Sequence, residues 1–384
     1  MKSGESSHGR GKTKKEALKS LFFGLLREAL WHSPEENFED LSAGEARVIL
    51  RVSEEQAVFA LMMDVFMRKN VRLSKKRLYK CFGMLDQIQL SNRQQNDTLK
   101  AFDALMQASG VDYRVVKGMT VAAHYPDPAL RQSGDIDFYC DSTNFPKALA
   151  ALSEKWGVEI GPTGSDHHVS FEHNEVMLEG HFALTSFYGK RKNEAWEKLL
   201  QQDKKTYVAM AGTEIPTLSP TLHTLYVFLH LYQHLLELGI GLRQFCDWAM
   251  MLHDCKENID QEQLRQHLEM LGMLKAYRAC GSILTEYLGL PEEELGCRIT
   301  RSDKWYGRMI LDVVFYRGNM GHYNKRSGFS GWRHNIEATG IKVAHFLKFM
   351  PLAPSYSFRW LGHELWRKVM MKTKGGSKLY FPLP

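Results

Sequence analysis

The sequence predicts an α+β fold: a small mixed sheet within residues 111–205, flanked by helical N- and C-terminal regions. Three observations carry this reading. Apolar residues recur at helical spacing through the first third of the chain. Short alternating or wholly apolar runs then cluster between 113 and 184. From residue 219 the helical period returns. A chain of 384 residues has room for two or three domains. The expected division is a disordered basic tail at 1–14, a helical region at 15–110, an α/β domain at 111–205 and a helical domain at 206–384.

The elements follow in order. "MKSGESSHGRGKTKKEALK" is basic, and no signal-type apolar block follows it, so its first 14 residues read as a tail. "SEEQAVFALMMDVFMRKN" opens with Ser53 and Gln56 at capping-box spacing and predicts a helix starting there. "SNRQQNDTLKAFDALMQASG" repeats the device with Ser91 and Gln94, and Gly110 supplies the stop. "YRVV" reads as a buried strand, "GMTVAAHY" as a short helix halted by Pro126, and "DIDFY" as a second strand. "NFPKALAALSEKWG" is a helix ending at Gly157. "DHHVSFE" and "EVMLEGHFAL" alternate, and a His173-Asn174 turn between them makes a hairpin with His168 opposite Glu179. Ser219-Pro220 opens a helix to about Glu237, with Gly239 or Gly241 behind it. Further helices reach the C-terminus, interrupted near 316–331 and 351–354.

Composition sets limits. Hydrophobic content of 44% and charged content of 24% suit a globular chain. The net charge of +6 leaves room for an anionic substrate without indicating a nucleic-acid binder. The most apolar stretch, near 222–242, is broken by His223, His230, Gln233, His234 and Glu237, so no membrane span is expected. The six cysteines are scattered, and none forms a Cys-x-x-Cys pair. That argues for reduced thiols in a cytoplasm, against a disulfide framework or a zinc site.

"RQSGDIDFYC" puts Asp135 and Asp137 on one face of a strand, about 7 Å apart. Such a pair either faces water or shares a hard divalent cation such as Mg²⁺. Glu179 adds a third carboxylate on a strand of the same small sheet. It could complete a second metal position or take a proton from a nucleophile, as in-line displacement at a phosphate requires. Lys117-Gly118 ends one strand and opens a helix, which sets a cation and free backbone N–H groups where an anion would bind. Arg131 is a second cation, and Gly134 lets a bulky phosphate approach the backbone.

"KGMTVAAHYPDPALRQSGDIDFYC", then "VMLEGHFAL", "LSPTLHTLYVFLHLYQHLLELGIGLRQFCDWAMML" and "YRGNMGH", resemble an uncharacterised bacterial nucleotidyltransferase-like family of the DNA polymerase beta superfamily, over roughly 90–350. The resemblance implies that Asp135 and Asp137 bind metal, that Glu179 is the third carboxylate, and that Lys117, Gly118, Arg131 and Gly134 face the nucleotide. It implies Mg²⁺- or Mn²⁺-dependent transfer of a nucleoside monophosphate from an NTP to an unidentified acceptor hydroxyl. A non-catalytic nucleotide binder and a toxin-like enzyme acting on tRNA or protein stay open as alternatives. A nucleic-acid acceptor is allowed but not indicated. This chain has Gly118-Met119 where much of the superfamily has Gly-Ser. Lys117, the helix N-terminus or Thr120 would have to replace that hydroxyl.

Other residues carry competing readings. His223, His230 and His234 share a helical stripe. Zinc proteases need Glu after the first His of such a pair, and here Leu231 stands there, so the stripe packs beside the α/β domain or offers one histidine to substrate. Arg243 and Asp247 stand i, i+4, and a structural ion pair is the expectation, with a place near the cleft for Asp247 as the alternative. His168 either tunes Glu179 or makes a plain cross-strand contact. The basic, amphipathic "WRKVMMKTKGGSK" reads as a solvated helix end, with binding to an anionic surface as the minor alternative.

Overall fold

The computed structural model describes residues 7–33, 41–159, 167–210, 212–237, 239–318, 343–344 and 346–362. Four helices open the chain: α1 (Ser7–Trp31), α2 (Ala43–Glu55), α3 (Phe59–Arg68) and α4 (Lys75–Ala108). Helix α1 takes in residues 7–14 of the stretch expected to be a disordered tail, despite Gly9 and Gly11; residues 1–6 of that stretch lie outside the described residues. The capping boxes fall elsewhere than expected. Ser42 and Glu45 form the box that starts α2. Ser53 lies inside α2, with its hydroxyl turned back onto the Leu50 carbonyl at 2.8 Å. Gln56 is the α2 C-cap, and its side chain is spent on the Leu242 amide and the Val314 carbonyl. Ser91 likewise lies within α4, which starts at a Ser74 cap. The α4 stop is as expected: Gly110 takes φ +62°, and the Val111 amide reaches back to the Met106 carbonyl.

A four-stranded sheet follows, with strands β1 (Arg114–Val116), β2 (Asp135–Tyr139), β3 (His168–His173) and β4 (Val176–His181) in the order β1-β2-β4-β3. Only β2 and β4 run parallel, so the sheet is mixed, as the α+β reading requires. The short helix α5 (Gly118–Ala122) leaves β1, and α6 (Phe145–Trp156) joins β2 to the hairpin and ends at Gly157 in the left-handed region. One sheet face is apolar: Ile136, Phe138, Phe171 and Leu178 pack with Leu99, Phe102 and Met106 of α4 and Ala148 and Leu152 of α6. Gly180 is required there, because a Cβ would lie 2.6 Å from the Phe138 ring.

The β3–β4 turn differs from the expected one. Asn174 and Glu175 are its central residues, both at positive φ, as a type I′ turn requires. The register moves by two residues, so every side chain keeps its face. His168 therefore stands opposite His181, and Ser170 stands opposite Glu179.

After α7 (Lys190–Gln202) a second small sheet forms from β5 (Thr206–Met210) and β6 (Thr213–Thr217), in a stretch read as the start of a helical domain. Thr206, Tyr207 and Val208, residues that favour strands, with Gly212 just beyond at φ +77°, were the overlooked signal. Helices α8 (Pro220–Glu237), α9 (Leu242–Asp254), α10 (Gln261–Leu271), α11 (Leu274–Glu286) and α12 (Arg301–Arg317) follow. They share with α1–α3 a large core that includes Trp196, Tyr226, Phe228, Trp248 and Tyr277. Gly318 caps α12; the rest of the interruption expected at 316–331, and the basic C-terminal stretch, lie outside the described residues. No helix among the described residues is long and apolar enough to cross a membrane.

Candidate functional site

The polar face of the four-stranded sheet looks toward α8 and α9. Pairing of β2 with β4 sets Asp137 beside Glu179 and Tyr139 beside His181, while Asp135 lies one pleat away beside Met177. Ligand atoms of Asp137, Glu179 and His181 all lie within 4.8 Å of one another. Of the carboxylates expected to hold metal, Asp137 and Glu179 are thus brought together, and Asp135 stands next to the cluster on the same face. His181, expected on the same face as Glu179 but given no site role, completes the cluster. Its signal was its spacing, two residues beyond Glu179 and hence on the same face.

Asp137 is the buried centre, 2% exposed. Lys117 Nζ and His181 Nε2 both lie 2.8 Å from its Oδ1. Burial works to raise its pKa, but Lys117 and the His181 hydrogen bond outweigh burial and hold the carboxyl below the usual range. Burial lowers the pKa of His181 against the pull of Asp137. Hydrogen-bonded to Asp137, a neutral His181 donates through Nε2; as a metal ligand through Nε2 it would carry the proton on its buried Nδ1, which has no partner. Glu179 is different: burial first, then the charge of Asp137, raises it to about 7. His168 Nε2 stands diagonally at 3.9 Å from Glu179, and burial holds that imidazole down at about 4. Asp135 is raised by the Asp137 charge and then by burial. The donor set of carboxylates and imidazole, carrying more negative charge than the site neutralises, fits a divalent cation.

Lys117 is placed by strained backbone. Its φ of +56° and ψ of −150° fall in a region essentially reserved for glycine. The Lys117 amide donates to His223 Nε2 at 3.1 Å, and Nζ lies 3.5 Å from His230 Nε2. Gly118 follows at φ +40°, where a Cβ would come within 3.1 Å of the Asp135 carbonyl oxygen. The Thr120 hydroxyl donates back to the Lys117 carbonyl at 2.8 Å and is fully buried. Met119 points into the core. At Gly134 the space a Cβ would fill is open.

Arg131 is committed to protein. Its Nε and Nη2 donate to the two carboxylate oxygens of Asp247 at 2.7 and 2.9 Å, and Tyr125 OH donates to the same carboxylate at 2.8 Å. Asp247 therefore pairs with Arg131, not with Arg243 four residues earlier, because α9 turns Asp247 toward the loop before β2. Arg243 donates Nη1 to the Gln132 carbonyl at 2.7 Å, while its Nε is buried without a partner. Burial lowers the pKa of Arg243, Arg131 adds to that, and Asp135 opposes it. The helical spacing of Arg243 and Asp247 had concealed this cation's place at the site. Of the histidine stripe, His223 supports the Lys117 backbone and His230 stands beside its ammonium. Burial holds His234 at about 4, with Nδ1 unpartnered.

The profile of a family described as uncharacterised nucleotidyltransferase matches residues 42–289. None of the curated proteins matches the chain. Among solved structures, an antigenic nucleotidyltransferase-like protein from Paracoccidioides brasiliensis overlaps at TM-score 0.33 and 16% identity, covering 52% of this chain and 93% of that one. No site assignment rests on an overlap that loose. The family match spans the four-stranded sheet, the Lys117 turn and helices α8–α11, and it takes in more than half of the chain. The chain belongs to this uncharacterised nucleotidyltransferase family.

Proposed function

We propose that the protein transfers a nucleoside monophosphate from an NTP to an acceptor hydroxyl, with Mg²⁺ or Mn²⁺ held by Asp137, Glu179 and His181 and supported by Asp135. The observation that carries this reading is the convergence of those three ligand side chains beside the buried Lys117–Asp137 pair. When bound, the cation neutralises charge on the phosphate oxygens at the reacting phosphorus. Lys117 holds Asp137 ionised and in place. The acceptor oxygen bonds to the α-phosphorus as pyrophosphate leaves, and the acceptor's proton passes to a carboxylate oxygen of Glu179. Arg243, with its free Nε, is the cation that offers a hydrogen bond to a phosphate oxygen. Arg131 keeps the loop before β2 in position through Asp247, a role different from the nucleotide contact expected of it.

The test has two stages. Thermal unfolding with each NTP and Mg²⁺ should show a shift for at least one nucleotide; ligand at about 100 times its Kd adds roughly 2.7 kcal/mol. With that nucleotide labelled at the α-phosphate, label should move to an acceptor. Asp137→Asn should cut transfer by about 10² or more, the scale of losing one charge-stabilising group. Transfer at wild-type rates in Asp137→Asn would refute the assignment. A second reading has its own support: Met119 is buried and the Thr120 hydroxyl is used internally, so no side-chain hydroxyl serves the phosphate turn. It predicts a nucleotide shift with no labelled product.

A further inference from the structure

A second cluster lies where α5 meets α9, away from the carboxylate face. We infer that His124, Asp254 and Cys255 bind a thiophilic divalent cation of the zinc class, which clips α5 to α9. His124 stands just beyond α5, its amide bonded to the Val121 carbonyl at 3.1 Å. Asp254 is the last residue of α9, and Cys255 is its C-cap, with its amide on the Met251 carbonyl. Two element ends about 130 residues apart in sequence thus deliver the three donor types that zinc prefers. His124 Nδ1 lies 2.7 Å from Asp254 Oδ2, and Cys255 Sγ lies 3.7 and 3.9 Å from the two ring nitrogens. All three ligand atoms fall within 4.8 Å of one another.

Tetrahedral zinc with bonds of about 2.0–2.3 Å sets its donors roughly 3.3–3.6 Å apart. A cation replacing the proton shared by His124 and Asp254 would need that pair to open by less than an ångström, with the thiol already 3.7 Å from Nδ1. The thiol is buried, the imidazole is 13% exposed and the Asp254 side chain 58% exposed, so the cluster borders solvent on the Asp254 side. Scattered cysteines argued against zinc only for sites built on Cys-x-x-Cys spacing; a mixed triad drawn from two segments escapes that test. The clip joins the helix that follows Lys117 to the helix that carries Arg243 and Asp247. The inference does not depend on the transfer reaction.

Sulfur makes the site separable from the carboxylate cluster, which contains none. Co²⁺ added to chelator-stripped full-length protein should give a saturable near-ultraviolet thiolate-to-cobalt charge-transfer band, and Zn²⁺ should displace it. The band should persist in Asp137→Asn and vanish in Cys255→Ala. Asp254→Ala changes a side chain that is 58% exposed, and should weaken Co²⁺ binding at least tenfold. Zn²⁺ should raise the unfolding temperature of the wild type and leave that of Cys255→Ala unmoved. Absence of the band in the wild type, its survival in Cys255→Ala, or unchanged affinity in Asp254→Ala would overturn the inference and leave a hydrogen-bonded cluster.

Discussion

Asp247→Asn separates a structural role for Arg131 from a nucleotide-binding one. The substitution is nearly isosteric. It removes the charge that faces two guanidinium donors and turns one acceptor into a donor aimed at Arg131. The side chains of Arg131 and Asp247 are only 5% and 9% exposed, so solvent screening does not discount the pair. Breaking one partner of a buried pair costs about 3–5 kcal/mol, because the survivor stays charged and unpaired. Against a total stability of roughly 5–15 kcal/mol, the variant should fold but lose much of its margin. Urea unfolding of the wild type, Asp247→Asn, Arg131→Met and the double variant Arg131→Met/Asp247→Leu measures this. The double variant should be more stable than either single one, since it leaves no lone buried charge. Asp247→Asn within about 1 kcal/mol of the wild type, together with lost nucleotide binding in a fully stable Arg131→Met, would refute the structural reading and return Arg131 to the nucleotide.

The remaining predictions concern the sheet and the turn. Glu179 is raised from 4.5 to about 7, so its contribution to stability is present below 4.5 and lost as pH rises through about 7; without added cation the wild type should lose stability across that window, and Glu179→Gln should flatten the loss. Over the same window Mn²⁺ affinity, read by titration calorimetry, should tighten in the wild type and change less in Glu179→Gln. Gly180→Ala forces a Cβ to 2.6 Å from the Phe138 ring and should cost about 1–3 kcal/mol in chemical denaturation. Lys117→Gly and Lys117→Ala both lose the ammonium, but only glycine relieves the backbone; Lys117→Gly should be the more stable by about 1 kcal/mol or more, and equal midpoints would discount the strain.

Local chemistry explains what was legible beforehand. "YRVV", "DIDFY" and the two alternating runs announced the sheet because side-chain period 2 is a short-range signal. Asp135, Asp137 and Glu179 could be put on one face without knowing the strand order, and a register error of two residues preserved that face. Helix starts were less legible. Ser53 and Ser91 have capping spacing, yet Ser53 falls in the last turn of α2 and Ser91 in the middle of α4, because the residues before each already carry helical hydrogen bonds. Contacts across more than 100 residues were not legible at all. Nothing near Arg131 names Asp247, and nothing near His223 points to the Lys117 amide. Helix spacing suggested the wrong partner for Asp247 because an i, i+4 neighbour competes poorly with a bidentate guanidinium already aimed at both oxygens.

The charges of the site, taken together, support the proposed reaction more than any single residue does. Lys117 answers Asp137, and Arg131 answers Asp247. Asp135, Glu179 and Arg243 are left over. The Asp137 charge and burial raise Asp135, burial and Asp137 raise Glu179, and burial lowers Arg243. Each shift runs toward the neutral form, which is the mark of a charge short of partners. Asp135 and Arg243 sense each other, yet the Arg243 Nε still lacks a hydrogen-bond partner. A ligand that relieves both ends must be cationic at the carboxylates and anionic toward Arg243. A divalent cation carrying a polyphosphate has that polarity; a free cation or a free anion would satisfy only one end. The same reasoning predicts that nucleotide and metal bind with positive coupling, and that Arg243→Met weakens NTP binding while leaving the affinity for Mn²⁺ alone nearly unchanged. Equal loss of both affinities in that variant would mean that Arg243 only holds the loop before β2 through the Gln132 carbonyl.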